Sequence, residues 1–89
     1  MKKIEFRIQE YHYTPELKIM IYDRDTKELV EEGMMTLVEQ IDIENLFTYD
    51  FINYNPNKSY IVSIIDTQIE EILKTFSIEE DREFSGLAD

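Results

Sequence analysis

Two segments of this chain alternate apolar and polar residues with a period of two, and this pattern limits what the chain can fold into. Residues 3–11 alternate from Ile4 onward, and residues 17–23 alternate from Leu17 onward. Successive side chains of a β-strand point to opposite faces, so both segments are predicted to be strands with one buried face. A turn around Thr14–Pro15 separates them. The second strand also carries apolar residues on its other face, which favours an interior position in a sheet.

A third strand is predicted over residues 27–38, and Gly33 interrupts its alternation. Without an irregularity, Val30 falls on the opposite face from Met35 and Leu37. A bulge at Glu32–Gly33 would shift the parity and bring these three residues onto one face. The pattern therefore favours a bulged strand.

Residues 41–54 are compatible with two structures. Asp42 is a suitable cap for a longer helix, whereas the aromatic residues of this segment favour a strand. The segment Asn55–Lys58 has proline at the second position of a turn, as in a hairpin connection. We therefore predict one helical turn at residues 42–45 followed by strands 4 and 5 on either side of Asn55–Lys58, with the longer helix as the alternative.

Residues 67–76 have the features of an amphipathic helix. Thr67 and Glu70 match a capping box, and apolar residues follow with the spacing of one helical face. Residues 77–89 form an acidic extension, in which Ser77 and Glu80 would begin a short second helix. The predicted fold is a single α+β domain over residues 1–89: a small antiparallel sheet of four or five strands with the C-terminal helix packed on one face.

Charge restricts the partners that the chain can bind. The 89 residues carry a net charge of -11. Nucleic-acid binding depends on Lys and Arg replacing counterions at the phosphates, so direct binding of DNA or RNA is not expected. A basic protein surface would instead be attracted.

The composition also excludes several kinds of site. The chain has no cysteine and only two glycines, which removes thiolate chemistry and glycine-rich phosphate loops. We predict no catalytic residues, no metal and no cofactor, and hence a protein that is not an enzyme. No signal-peptide pattern and no apolar run of about 20 residues is present, so a cytoplasmic protein without a membrane segment is expected.

The segment Ile21–Met35 contains two aspartates one residue apart and resembles the start of a calcium loop. Counted from Asp23, however, lysine stands at the fifth position, glutamate at the sixth and methionine at the twelfth, where an EF-hand needs a ligand, a glycine and a glutamate. Asp at the start of a turn accepts hydrogen bonds from backbone amides further along the chain. The segment is therefore predicted to be a hairpin loop in which Lys27, if it adopts the left-handed conformation, does so at a cost of roughly 1 kcal/mol.

The acidity has two interpretations. The common one is a solvated surface that keeps a small protein soluble. The more specific one is an array that imitates nucleic-acid phosphates, because carboxylates two residues apart on a strand are spaced by about 6.6 Å, close to two base steps of about 3.4 Å. The predicted partner-binding residues are Asp23, Asp25, Glu28, Glu31, Glu32, Glu39, Asp42 and Glu44.

In size, acidity and use of residues with AT-rich codons, the chain resembles the small inhibitors that phages and mobile elements direct against host nucleases, repair enzymes or CRISPR effectors. No sequence motif supports this resemblance, and we therefore assign the chain to no family. The leading hypothesis is an inhibitor that occupies a basic, nucleic-acid-binding surface of a host protein. The alternatives are an immunity or antitoxin-type protein that neutralises one toxin, and a small structural subunit that forms homodimers or larger homo-oligomers.

Overall fold

Every regular element in the described part of the chain is a β-strand. The computed structural model describes residues 1–9 and 13–80. Its strands are β1 Lys2–Gln9, β2 Leu17–Asp23, β3 Leu29–Met34, β4 Thr36–Ile41, β5 Glu44–Phe51, β6 Tyr60–Asp66 and β7 Glu71–Ile78. Because these residues contain no helix, the predicted α+β fold is wrong, and the described part of the chain is all-β. No helix long and apolar enough to cross a membrane is found among the described residues.

The strands form two antiparallel sheets. The three-stranded sheet has the order β1-β5-β4, and the four-stranded sheet has the order β3-β2-β6-β7. The chain passes between the sheets after β1, after β3 and after β5. The strands β3 and β4 follow each other in sequence but belong to different sheets, and each is an edge strand of its sheet.

The core lies mainly on the inner faces of β2 and β6. Both strands alternate between buried and half-buried residues along their whole length, which confirms the prediction of an interior strand at residues 17–23. The three-stranded sheet contributes Ile4, Phe47 and Phe51 to the same apolar cluster. Burying a large apolar side chain contributes about 1.5–3 kcal/mol, so this shared cluster stabilises the packing of the two sheets against each other.

The predicted helix over residues 67–76 is instead a turn followed by β7, which pairs with β6. Glu70 has a left-handed backbone with φ of 55°, which no α-helix contains. A register shift in the β6–β7 ladder leaves Leu73 as an extra residue, and this bulge brings Leu73 and Phe76 against the core. Because of this bulge, the two core-facing residues Leu73 and Phe76 are three positions apart, which is a spacing also found on one face of a helix.

The C-terminal extension begins inside the sheet. Residues 77 and 78 are the end of β7, so the predicted second helix does not start at Ser77. The remainder of that predicted helix, beyond residue 80, lies outside the described residues.

The third predicted strand is two strands in different sheets. The bulge of β3 is at Val30, which is the extra residue between the pairs Ile21 with Glu31 and Tyr22 with Leu29, and not at Glu32–Gly33. Met35 marks the crossing: it is 8% exposed, and its amide donates a 2.8 Å hydrogen bond to the carbonyl of Leu17. A buried anchor between the strands therefore moves the chain from one sheet to the other.

Two predicted connections are also different. Residues 42 and 43 form the turn between β4 and β5, where Asp42 has φ of 56°, so the predicted helical turn at 42–45 and the alternative helix over 41–54 are both wrong. Asp tolerates this left-handed conformation better than most residues. The loop at Asn55–Lys58 does not close a hairpin, because β5 pairs with β1 and β4 whereas β6 pairs with β2 and β7.

In the turn between β2 and β3, Lys27 has a left-handed backbone with φ of 67°, which is the condition for the strain considered above. We expect Lys27→Gly to raise the free energy of unfolding by up to about 1 kcal/mol, because glycine has no Cβ to clash in this region. Urea denaturation measures the change. Glu28→Gly, at the next position, does not remove a left-handed residue and should instead lower stability; equal changes in the two variants would contradict the argument.

Candidate functional site

Asp23 stabilises the β2–β3 turn with its carboxylate. Its Oδ1 accepts hydrogen bonds from the amides of Thr26 at 3.1 Å and Asp25 at 2.8 Å, and its Oδ2 lies 3.6 Å from Nζ of Lys58. The amide bonds from Thr26 and Asp25, assisted by Lys58, hold the pKa of Asp23 below its usual value. The residue is 8% exposed. The predicted turn is thus confirmed, and this carboxylate is engaged inside the protein.

Glu31 joins the two sheets through its carboxylate. From β3 of the four-stranded sheet, Oε2 accepts hydrogen bonds from the Tyr49 hydroxyl at 2.6 Å and the Ile52 amide at 3.1 Å. Oε1 accepts from the backbone amide and the side-chain amide of Asn53, both at 2.9 Å. Burial alone would raise the pKa of Glu31, but these hydrogen bonds outweigh burial and lower it. Glu31 therefore connects β3 to the end of β5.

Tyr49 lies between Glu31 and Gly33. Burial, together with the adjacent Glu31 carboxylate, raises the pKa of Tyr49 to about 12, so its hydroxyl keeps the proton that it donates. A Cβ at Gly33 would lie 2.8 Å from Cε1 of the Tyr49 ring. Gly33 is therefore required for close approach of this ring, which is a different role from the predicted bulge.

Two further predicted residues are in ion pairs on the surface. Glu32 lies 3.3 Å from Nζ of Lys18, and Glu44 lies 3.0 Å from the Arg7 guanidinium. Both pairs are substantially exposed, so each contributes less than about 1 kcal/mol. Their carboxylates are accessible but partly neutralised.

The other four predicted residues are exposed, and within the described residues their side chains make no ion pair. Asp25 and Glu28 are in the β2–β3 turn, Glu39 is on β4, and Asp42 is in the β4–β5 turn. We call these four residues the acidic edge. Two of them precede β3, one is on β4 and one follows it, so they flank or lie on the consecutive edge strands β3 and β4. The eight predicted residues thus fall into three groups: two that are bonded internally, two in exposed ion pairs and the four of the acidic edge.

Local composition makes this side of the protein negative. Between Lys27 and Lys58 the sequence contains no lysine or arginine, so β3, β4 and β5 carry carboxylates alone. The ion pairs of Glu32 and Glu44 draw their cations from β2 and β1. A cationic group of a bound molecule would therefore not compete with a lysine or arginine of β4 for its carboxylate.

Sequence reasoning missed the apolar side chains of β4. All six of its residues are exposed, and Leu37, Val38 and Ile41 are 37%, 53% and 61% exposed. In the β4–β5 ladder Val38 is an extra residue between the pairs Leu37 with Phe47 and Glu39 with Leu46. Only Leu37 was placed on a face, together with Val30 and Met35, and no local signal shows that the strand lies at a sheet edge.

A cleft of about 410 Å³ lies between the β2–β3 turn and the start of β6. Its lining charges are largely paired: Arg24 binds the Glu79 carboxylate, and Lys58 lies beside Asp23. The Ser59 hydroxyl accepts a 3.1 Å hydrogen bond from the Glu80 amide. The cleft therefore holds the segment that follows β7.

Within the described residues, no group of three or more His, Asp or Glu side chains is arranged to hold a metal ion. Comparison of the chain with protein-family models, curated proteins and solved structures finds no match.

Proposed function

We propose that this protein is a non-enzymatic binding module that presents its acidic edge to a basic surface of a partner protein in the cytoplasm. The partner class that fits best is a nucleic-acid-binding protein, whose phosphate-binding surface the module would occupy and so inhibit. Asp25, Glu28, Glu39 and Asp42 are the contact residues of this proposal. Glu32 and Glu44 lie beside them in weak ion pairs that a stronger cation would displace.

The observation that supports the proposal is the separation of charge. The carboxylates of Asp23 and Glu31 accept hydrogen bonds within the protein. The carboxylates of the acidic edge, in contrast, form no ion pair with any lysine or arginine among the described residues. Unpaired like charges along one side of a small protein destabilise it through repulsion, and a cationic partner removes that repulsion. Attraction between opposite potentials also accelerates association.

The test is a charge reversal of the acidic edge, Asp25→Lys with Glu28→Lys, Glu39→Lys and Asp42→Lys. Immobilised wild type and variant are used to capture proteins from a bacterial lysate, and a captured protein is purified and assayed for release of labelled duplex DNA. We expect wild type to release the DNA and the variant to be weaker by at least about 100-fold, because like charges then face each other.

A matched control reverses four exposed carboxylates that do not belong to the acidic edge: Glu5, Glu16, Glu70 and Glu71. Both variants have the same net charge, and both place lysine at one left-handed position, Asp42 or Glu70. The control should retain most of the activity of wild type. Equal loss in both variants would show that only net charge matters, and no loss in either would contradict the proposal.

The exposed apolar residues of β4 favour a second candidate, an immunity or antitoxin-type protein with an apolar contact and a charged rim. Salt dependence separates the two. Binding to a phosphate-binding surface should weaken steeply as salt rises, whereas a mainly apolar interface should change little.

A further inference from the structure

The free side of β4 is the most open backbone edge among the described strands. Among the described strands it pairs with β5 alone, on one side, and all six of its residues, Thr36–Ile41, are exposed. In an antiparallel sheet, alternate residues of an edge strand direct their amide and carbonyl groups away from the neighbouring strand. These groups are available for pairing with an additional strand.

Proteins usually protect such edges, and the four edge strands here differ in this respect. Lysine on an edge strand is a common protection. β1 carries Lys2 and Lys3, and β7 carries Lys74. β3 has neither lysine nor proline, but two of its six residues are glutamates, and one of them, Glu31, binds the backbone that follows β5. β4 has neither lysine nor proline, and three of its six residues are the exposed apolar residues Leu37, Val38 and Ile41.

The β4–β5 register shows which side chains an added strand would meet. Thr36, Glu39 and Ile41 pair with Thr48, Leu46 and Glu44, so they share one face, while Leu37 and Gln40 share the other. The bulge at Val38 interrupts the regular ladder, which limits an occupant to a short segment.

The charge of an occupant follows from the same residues. Side chains directly opposite on adjacent strands interact, so a lysine or arginine next to Glu39 would be favourable and an acidic residue unfavourable. Asp42, just beyond the end of β4, adds a second exposed carboxylate. Neither residue has a cationic partner among the described residues.

We propose that β4 is a strand-addition site, at which a short extended segment of the partner, alternating basic and apolar residues, becomes the fourth strand of the three-stranded sheet. Main-chain hydrogen bonds provide affinity, Glu39 and Asp42 select basic residues, and Leu37, on the opposite face from Glu39, contacts the apolar ones. This inference rests on the proposed function, because it specifies how a basic partner is held.

The probe for the test is a synthetic peptide that alternates lysine with valine. It is titrated into the ¹⁵N-labelled full chain at low salt, while amide chemical shifts and hydrogen exchange are recorded. We expect the amides of residues 36–41 to shift and some of them to exchange at least about tenfold more slowly, because new main-chain hydrogen bonds protect them. A lysine peptide of equal charge with proline in place of valine should bind at least about tenfold more weakly, since proline has no amide hydrogen to donate.

The outcomes distinguish this inference from the proposed function. If the peptide shifts the amides of Asp25 and Glu28 while β4 exchanges as before, strand addition is overturned and electrostatic binding stands. If valine and proline peptides bind equally, strand addition is likewise overturned. If neither binds, both ideas fail. Protection of β4 without peptide, together with a dimer in sedimentation, would show that a second copy of the chain occupies the edge.

Discussion

Glu31→Gln is expected to lower the free energy of unfolding by about 1–3 kcal/mol at pH 7. The carboxylate accepts four hydrogen bonds, and a glutamine amide has only one oxygen to replace two. If Oε1 continues to bind Asn53, the new NH₂ group faces the amide of Ile52, and two donors then oppose each other. Urea denaturation measures the loss.

The effect should also depend on pH. The pKa of Glu31 is lower in the folded protein than its normal value of 4.5, so the folded state holds the charged form more strongly than the unfolded state does. The stability that this provides is fully present above about pH 4.5 and is lost as the pH falls through the folded pKa. We therefore expect the difference between wild type and Glu31→Gln to shrink in acid.

Glu32→Gln is the matched control for this prediction. Glu32 is adjacent in sequence but has one exposed ion pair, to Lys18, so its replacement should change stability by less than about 1 kcal/mol. If the two variants were equally stable at pH 7, the connecting role of Glu31 would be refuted. The result also bears on function, because reversal of Glu31 would disturb the fold and must be left out of any binding test.

Phe51→Ala is expected to have the largest effect of any substitution considered, a loss of about 3–5 kcal/mol. Phe51 ends β5, is 0% exposed and packs edge-on against Tyr60 of β6, with ring centroids 4.8 Å apart. A second edge contact, at 5.7 Å, joins it to Tyr54. Removing the ring leaves a cavity where the three-stranded sheet meets the four-stranded sheet, so both lose support.

Ile52→Ala provides the comparison, since Ile52 is the next residue and is 70% exposed. Its loss should stay within about 0.5 kcal/mol. A domain of this size has little stability to spare, so Phe51→Leu is included as a milder change that should remain folded and show an intermediate loss. Equal stability of the Phe51 and Ile52 variants would contradict the assigned core.

The acidic edge was predictable only in part. The sequence shows which carboxylates are near one another along the chain, and four of the eight predicted residues are exposed without an ion pair in the described part of the structure. It does not show that Glu31 meets Tyr49 and Asn53, about 20 residues away, because that contact forms only when the two sheets come together. Carboxylates that look alike in sequence thus have different roles once their hydrogen-bond donors are in place.

The sequence by itself determined the local features of this protein: the strands with clean alternation, the turn capped by Asp23 and the excess of negative charge. Each depends on residues close together in the chain. Tertiary structure decided that residues 71–78 are a strand, that Met35 divides one predicted strand into two, and that β4 lies at an edge. These features depend on which strands pair with each other. Pairing forms through backbone hydrogen bonds between distant segments, and such bonds produce no periodic pattern in the sequence of either segment.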